Sequence, residues 1–524
     1  MTEVGGHVPC PHEAKQVREF YSGAGGRNAG TGTCPPTLKS RIRPCLTSFP
    51  AKRWRMRSPL FFAAALGFAT FARGGEPAVV APPAPAPIDP AAETVNRIFA
   101  EALSHGMAYS QLCDLTMYYP GRLAGSKSLE GAAQACAVEL SSMGLTNVHL
   151  QDVMVRHWER GAPESVQLLT AKGPSPLAAA ALGNSAATPE GGLTAGVIEV
   201  HSLAEVEKLG RDGVAGKIVF FNRPMDPTLF RTLSAYAGAG DQRNQGPGLA
   251  AKFGAVAALT RSLTLALDDV PHTGNSTFPP DIPPIPAAAL STLAADRLSA
   301  ALAADPSAKV TVQIHARSLP DALSHNVIGE IRGSEFPDQI ILVGGHLDCW
   351  DIAPGAHDDG AGVVQSMEVM RLFRVLGLKP RHTLRCVLFA NEENGRAGGN
   401  AYASAAQTGP GRHIFAAESD LGGFAPMGFT LGSTQGEIHE RAARWRPLFE
   451  PWGVWSFTKG TGAADISALM LQGVPVAGLV PSDQRYFDYH HSREDSIDKV
   501  NPRELHLGAA AMASLIWLVD TQGL

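Results

Sequence analysis

Residues 339–362 read QIILVGGHLDCWDIAPGAHDDGAG. After Gln339 come four apolar side chains in succession, Ile340 to Val343, a run that fits a strand buried on both faces. From about residue 323 onward, strand and helix patterns alternate. Strands are predicted over 326–331, 339–343, 383–390, 413–417 and 474–480. Helices are predicted over 362–378, from 399 and over 502–520. That alternation predicts an α/β fold with a mostly parallel central sheet flanked by helices.

Chemistry-bearing residues fall where these strands end. His346 follows ILVGG, Glu392 and Glu393 follow CVLFAN, and Asp420 follows IFAAES. In an open α/β sheet the carboxyl ends of the strands form the binding edge, so groups far apart in sequence converge there. Each group taken singly has a plainer reading. The His is a structural residue, the glutamates are a solvated pair, and Asp358-Asp359 is a turn in which Asp359 caps the helix starting near Gly360. Taken jointly and in this order they read as a site for two metal ions. Such a site needs nitrogen and carboxylate ligands, one carboxylate to bridge and one left free as a base. No thiolate belongs to the set, so zinc is expected; Cys349 reads as structural.

The chain has 524 residues, 44% hydrophobic and 18% charged, with a formal net charge of -5. This is globular composition, and the charge gives no reason to expect nucleic acid or an anionic membrane as partner. No apolar run is long enough for an ordinary transmembrane helix. Residues 1–55 carry three of the seven Cys and no periodic apolar pattern. Arg53, Arg55 and Arg57 then precede a short apolar stretch and the small-residue site Thr70-Phe71-Ala72. The stretch around 56–72 reads as a signal peptide, with translation starting at Met56 and the mature protein exported, periplasmic or secreted. The other reading of residues 1–55 is a genuine extension. Cys113, Cys136, Cys349 and Cys386 remain, too few for a disulfide scaffold. A Cys113–Cys136 bridge and a set of free thiols are the two readings they leave open.

The expected division is residues 1–75 as extension plus signal, 76–91 as a Pro/Ala-rich linker, 92–157 with 318–524 as the catalytic domain, and 158–317 as an inserted β-rich domain. Helices are expected over 94–115 and 128–143 and a strand over 147–156. The insert holds short strands at 217–221 and 308–316, a helix leading into a strand over 248–259, and no metal-ligand cluster.

Four blocks, HLD…GAHDDGAG, NEENG…GG, ESDLGGF and YFDYHHSREDS, resemble in order the co-catalytic di-zinc exopeptidases of metallopeptidase clan MH. The form NEENG points to their carboxypeptidase Q branch. GKIVFFNRP, AAKFGAVAALTRS and PHTGNSTF are similar to its protease-associated insertion. The likeness covers about residues 90–520. Carried over by position, it implies two zinc ions per chain, with His346 and Asp420 on one, Glu393 and His491 on the other, and Asp358 bridging. His491 is chosen over His490 because the family ligand lies four residues before an Asp, here Asp495. Ser496 stands where the family usually has Thr. Glu392 matches the general base, and Asp348 the residue that holds the His346 imidazole. The resemblance further implies a small peptide as substrate and a homodimer. Carboxypeptidase or dipeptidase activity is preferred to aminopeptidase activity on resemblance alone. A metal-free binding or receptor protein on this fold is disfavoured by the full ligand set, and a glutaminyl cyclase-type acyltransferase by the insertion. The stretches 460–467 and 485–486 resemble loops near the site.

Overall fold

Ile340, Ile341, Leu342 and Val343 are each at most 2% exposed, inside the strand Phe336–His346. A run covered on both faces belongs in the middle of a parallel sheet, and that is where it lies. The computed structural model describes residues 89–524; the expected extension, the signal stretch and nearly all of the linker fall outside them. The first sheet runs in the order Thr146–Glu159, Arg317–Ile331, His382–Phe389, Phe336–His346, Arg412–Glu418, Val476–Pro481, Pro426–Gly432, Ser456–Lys459. The four strands from His382–Phe389 to Val476–Pro481 are parallel neighbours. Antiparallel pairings join Thr146–Glu159, Arg317–Ile331 and Pro426–Gly432 to that centre.

Register brings the site together. His346 lies opposite Phe389, and Gly344 opposite Glu418. Three strands therefore end at one edge, and the chain just beyond them carries Glu392, Glu393 and Asp420. The helix Ala361–Val375 follows the Asp358 loop at the same edge. The last helix, Pro502–Gln522, starts at a Pro after Asn501, whose side chain accepts from Arg503 N and Glu504 N. Proline at the first helical position and Asn at the cap are the expected start signals. Residues of both helices share one apolar core with the sheet.

Two boundaries differ from expectation. Asp89 accepts from Ala91 N and starts a helix, Pro90–His105, inside the stretch read as linker. The helix expected over 94–115 is two helices, Pro90–His105 and Ala108–Tyr118. They part at Gly106, where a Cβ would meet Ala102 O at 2.3 Å and the His506 ring at 3.0 Å. Cys136, Cys349 and Cys386 are free buried thiols, so the Cys113–Cys136 bridge is not formed. Burial pushes Cys136 and Cys349 up to about 12.

Residues 165–313 form a second sheet. Its middle strands, Leu193–Val200, Ile218–Phe221, Ala257–Arg261 and Ala287–Leu290, are parallel. Helices Leu203–Val214, Thr232–Asn244, Gly246–Lys252 and Thr292–Ala304 accompany it, so the segment is more helical than its short apolar runs imply. Trp350, from the loop after His346, packs into this second layer, 1% exposed and part of its core. A Cβ on Gly183 would meet the Trp350 ring at 2.2 Å, so only glycine admits the indole there. Next to it, Arg160 holds Asp351 with two hydrogen bonds of 2.8 and 2.7 Å. Among the described residues no helix is long and apolar enough to cross a membrane.

Candidate metal centre

His346 is the last residue of its strand and 1% exposed. Its Nδ1 lies 3.0 Å from the Asp348 carbonyl oxygen, a partner that accepts only. That contact keeps a proton on Nδ1 and leaves Nε2, which faces Asp358 and Asp420, as the nitrogen that can give its lone pair to a cation. That Nε2 is 3.2 Å from Asp420 Oδ1 and 3.3 Å from Asp358 Oδ1. The other oxygen of Asp358, Oδ2, is 3.2 Å from His491 Nε2, which is 2.9 Å from Glu393 Oε2. One carboxylate thus faces two ligand groups, His346 with Asp420 on one side and His491 with Glu393 on the other.

The donors fit a pair of divalent ions. Asp358 Oδ2 and Glu393 Oε1 are buried without a hydrogen-bond partner, although imidazole nitrogens lie close to their carboxylates. Buried carboxylates without partners are costly unless a cation is held there. Four tetrahedral ligands about 2.05 Å from zinc stand roughly 3.3 Å from one another, close to the separations found here. Imidazole and carboxylate donors suit zinc, and the buried Cys349 Sγ is engaged elsewhere, accepting from Arg122 N at 3.2 Å.

The neighbours that could compete have other work. Asp359 accepts from His346 N at 3.0 Å and from Gly362 N at 2.9 Å, so it ties the strand end to the helix start, as the capping expectation held. The Asp358-Asp359 peptide bond is cis. His490 stacks on His491 with centroids 3.5 Å apart, and its Nε2 reaches only Asp358, at 3.5 Å. His491 meets both Asp358 and Glu393, in a left-handed conformation with φ 59.

Asp348 does more than its expected role. The ring of His346 is met by the Asp348 carbonyl, while the carboxylate lies 3.7 Å from Nδ1. That carboxylate accepts from Glu392 N at 2.9 Å and Glu393 N at 3.3 Å. It therefore fixes the glutamate pair relative to the His346 strand. Two further residues escaped the sequence reading. Asp495, there only a spacing marker, accepts from His357 N at 2.6 Å and Asp358 N at 3.0 Å. Arg122, fully buried, donates to the carbonyls of Leu347 at 2.7 Å, Pro354 at 2.7 Å and Gly355 at 3.0 Å, holding the ligand loop at both ends.

Charge crowding perturbs the titratable groups of the metal-free protein. Burial raises Glu392 well above the usual carboxylate range, and Asp420, Glu393 and Asp348 add to it against His346. Burial likewise brings Glu393 to about 7, with His491 opposing. Burial of Asp358 acts upward, but the bonds from His346 and His491 outweigh it and hold the group well below that range. Such opposed carboxylates in a cleft mark a functional site.

Asp358, Glu392, Glu393, Asp420 and His491 line a cleft of about 510 Å³, with Tyr486 beside them. Of the stretches expected near substrate, Tyr486 lines this cleft, and Gly460 to Ala463 line a neighbouring cavity that shares Asp420. Asp465 is 2% exposed, with both carboxylate oxygens unpartnered, and Arg485 stacks over Phe424. Neither lines the cleft.

A parallel sheet edge that gathers two imidazoles, a carboxylate facing both and an adjoining glutamate pair suits a metallopeptidase. The chain belongs to peptidase family M28, whose description, "Peptidase family M28", matches residues 326–516. It is 35% identical to carboxypeptidase Q of Bos taurus over 430 residues, 82% of this chain and 88% of that protein. It is 33% identical to carboxypeptidase Q of Homo sapiens over the same length. Among solved structures, a Peptidase M28 precursor from Shewanella amazonensis SB2B superposes with a TM-score of 0.79 at 32% identity, covering 83% of this chain and 97% of that one. The zinc aminopeptidase BSAP from Bacillus subtilis shares the fold, with a TM-score of 0.56 at 19% identity, covering 78% of this chain and 93% of its own. The protein is a peptide-bond hydrolase of the metallopeptidase type.

Proposed function

We propose that the protein is an exported exopeptidase that uses two zinc ions to cleave small peptides, of carboxypeptidase or dipeptidase type. His346 and Asp420 hold one ion, Glu393 and His491 the other, and Asp358 bridges. The observation that carries this reading is Asp358, whose two oxygens face different histidines. When bound, the ions supply Lewis acidity toward the scissile carbonyl and the attacking water. Glu392 is left out of the ligand set and lines the same cleft. Its position beside the ligand carboxylates suits it to take the proton of the attacking water and pass it to the leaving amine nitrogen. Asp348 keeps Glu392 in place through its backbone N–H.

The preference for a free carboxyl end rests on the likeness to carboxypeptidase Q, as does the expectation of a homodimer. The inserted segment is read as a protease-associated domain, and export follows from the signal-like stretch around 56–72. The test is hydrolysis of one dipeptide free, amino-blocked and carboxyl-amidated, each with and without chelator, beside metal analysis of the purified protein. Chelator-sensitive cleavage that survives amino blocking makes it a carboxypeptidase, and loss with either block a dipeptidase. Survival of the amide alone makes it an aminopeptidase. No cleavage of any form by protein containing two zinc ions per chain would overturn the peptidase reading of this site.

A further inference from the structure

Arg243 lies in the last turn of the helix Thr232–Asn244 of the second layer. It is 8% exposed, yet it lines the cleft that holds Asp358, Glu392 and Glu393. Among the described residues no carboxylate pairs with it. The contrast with the other buried arginines is direct. Arg160 is matched by Asp351 and Glu164, and Arg122 is surrounded by carbonyl oxygens. Arg243 has only the Thr273 carbonyl, 3.2 Å from Nη1, and the Tyr236 hydroxyl at Nη2. Its Nε is buried and has no partner.

The guanidinium is also held in one place. It lies over the Tyr236 ring, 5.3 Å from the centroid. It sits against Gly274, where a Cβ would meet Arg243 Cζ at 2.4 Å, so glycine there keeps its seat open. Nη1 is 3.4 Å from His491 Nδ1. Both nitrogens donate to the Thr273 carbonyl, so the ring gives the cation no acceptor.

We infer that Arg243 is the specificity-determining residue that receives the free α-carboxylate of the substrate, on the leaving-group side of the scissile bond. This rests on the di-zinc exopeptidase reading. Asp358, Glu393 and Asp420 face the ions, and Arg243 is left with no carboxylate of its own to pair with. An unpaired buried cation is costly, and a planar guanidinium matches a carboxylate with two parallel N–H bonds. Because the guanidinium touches a ligand ring, the room between it and the reacting carbonyl suits one residue, whose extended length is about 3.5 Å. Asn275 adds to the same wall. Its side-chain oxygen accepts from Asn184 at 2.6 Å, which leaves its NH2 group to donate. The substrate is then a peptide losing one C-terminal residue, a dipeptide included.

The test compares kcat/KM for a free dipeptide and its C-terminal amide in the wild type, Arg243→Gln and Arg243→Lys, with zinc content measured on each. The wild type should prefer the free form by about 100-fold, the scale of a charge-assisted pair. Arg243→Gln should lose that preference, mainly through a KM for the free dipeptide that rises toward that for the amide, at unchanged zinc, and Arg243→Lys should fall between. On the wild type itself, a free amino acid product should inhibit competitively and its amide should not, a readout that stands if the variants do not fold. A preference retained in Arg243→Gln, an equal loss on both substrates with or without loss of zinc, or equal inhibition by acid and amide would each overturn the assignment. A wild type that holds zinc but cleaves neither substrate would instead remove the peptidase reading beneath it.

Discussion

The carbonyl oxygen of His491 accepts a 2.9 Å hydrogen bond from the backbone N–H of Thr273. The preceding residues repeat the contact, His272 Nδ1 lying 2.7 Å from the His490 carbonyl oxygen. The second layer therefore grips the main chain of the histidine pair at two successive residues. That grip supports a left-handed conformation at His491 that a non-glycine residue adopts only when its surroundings hold it.

Acid should destabilise the protein here, because it charges a buried ring. Burial lowers His272 to about 4, with His491 and Arg243 adding to it and the bond to His490 opposing. A depressed histidine contributes stability above its unfolded value near 6.5 and loses it as pH falls toward 4. The shift corresponds to about 3 kcal/mol. Denaturant titrations of wild type and His272→Asn should therefore differ at pH 7 and converge by pH 4.5. Curves that stay parallel across that window would show that His272 is not held neutral.

Glu392→Gln should keep both zinc ions and lose turnover by roughly 100- to 10,000-fold, the range for removal of a general base. Metal analysis beside steady-state kinetics reads both quantities. Near-full activity would take the proton-transfer role away from Glu392.

Asp358→Asn should lower zinc from two ions per chain to one or none, with activity falling alongside. The reason is that the two oxygens of Asp358 face different histidine partners, and an amide replaces one of them with a donor. Full occupancy of both sites in the variant, read by elemental analysis after dialysis, would end the bridging assignment.

Asp495→Asn should weaken zinc binding by roughly 10- to 100-fold, the usual cost of losing a supporting partner behind a ligand. Its carboxylate accepts both His357 N and Asp358 N, and an amide has only one oxygen to offer them. Competition with a chelating dye measures the change. An unchanged affinity would mean that the loop holds its shape without this carboxylate.

Much of the first sheet was legible because its central strands are buried on both faces and read as continuous apolar runs, Ile340 to Val343 above all. The ligand candidates were legible because parallel strands that end in register put their next residues at one edge. The outer strands Pro426–Gly432 and Ser456–Lys459 carry no comparable run. The helix Thr232–Asn244, with its glycines and weak apolar pattern, forms through tertiary packing against the site. Arg122, Arg243 and the hold of the Asp348 carboxylate on the glutamate pair were not legible, since each acts on chain far away in sequence. Arg122 bonds to carbonyls more than 220 residues on, a relation no local pattern announces.

Trp350 leaves the loop of one sheet and ends in the core of the other, with Gly183 shaped to take it. Withdrawing an indole of roughly 200 Å² from such a seat costs about 5 kcal/mol. A clamshell opening between the two sheets would require that withdrawal, so at equilibrium it is a rare event. The cleft lined by Glu392 and His491 is then one that a peptide enters without parting the two sheets.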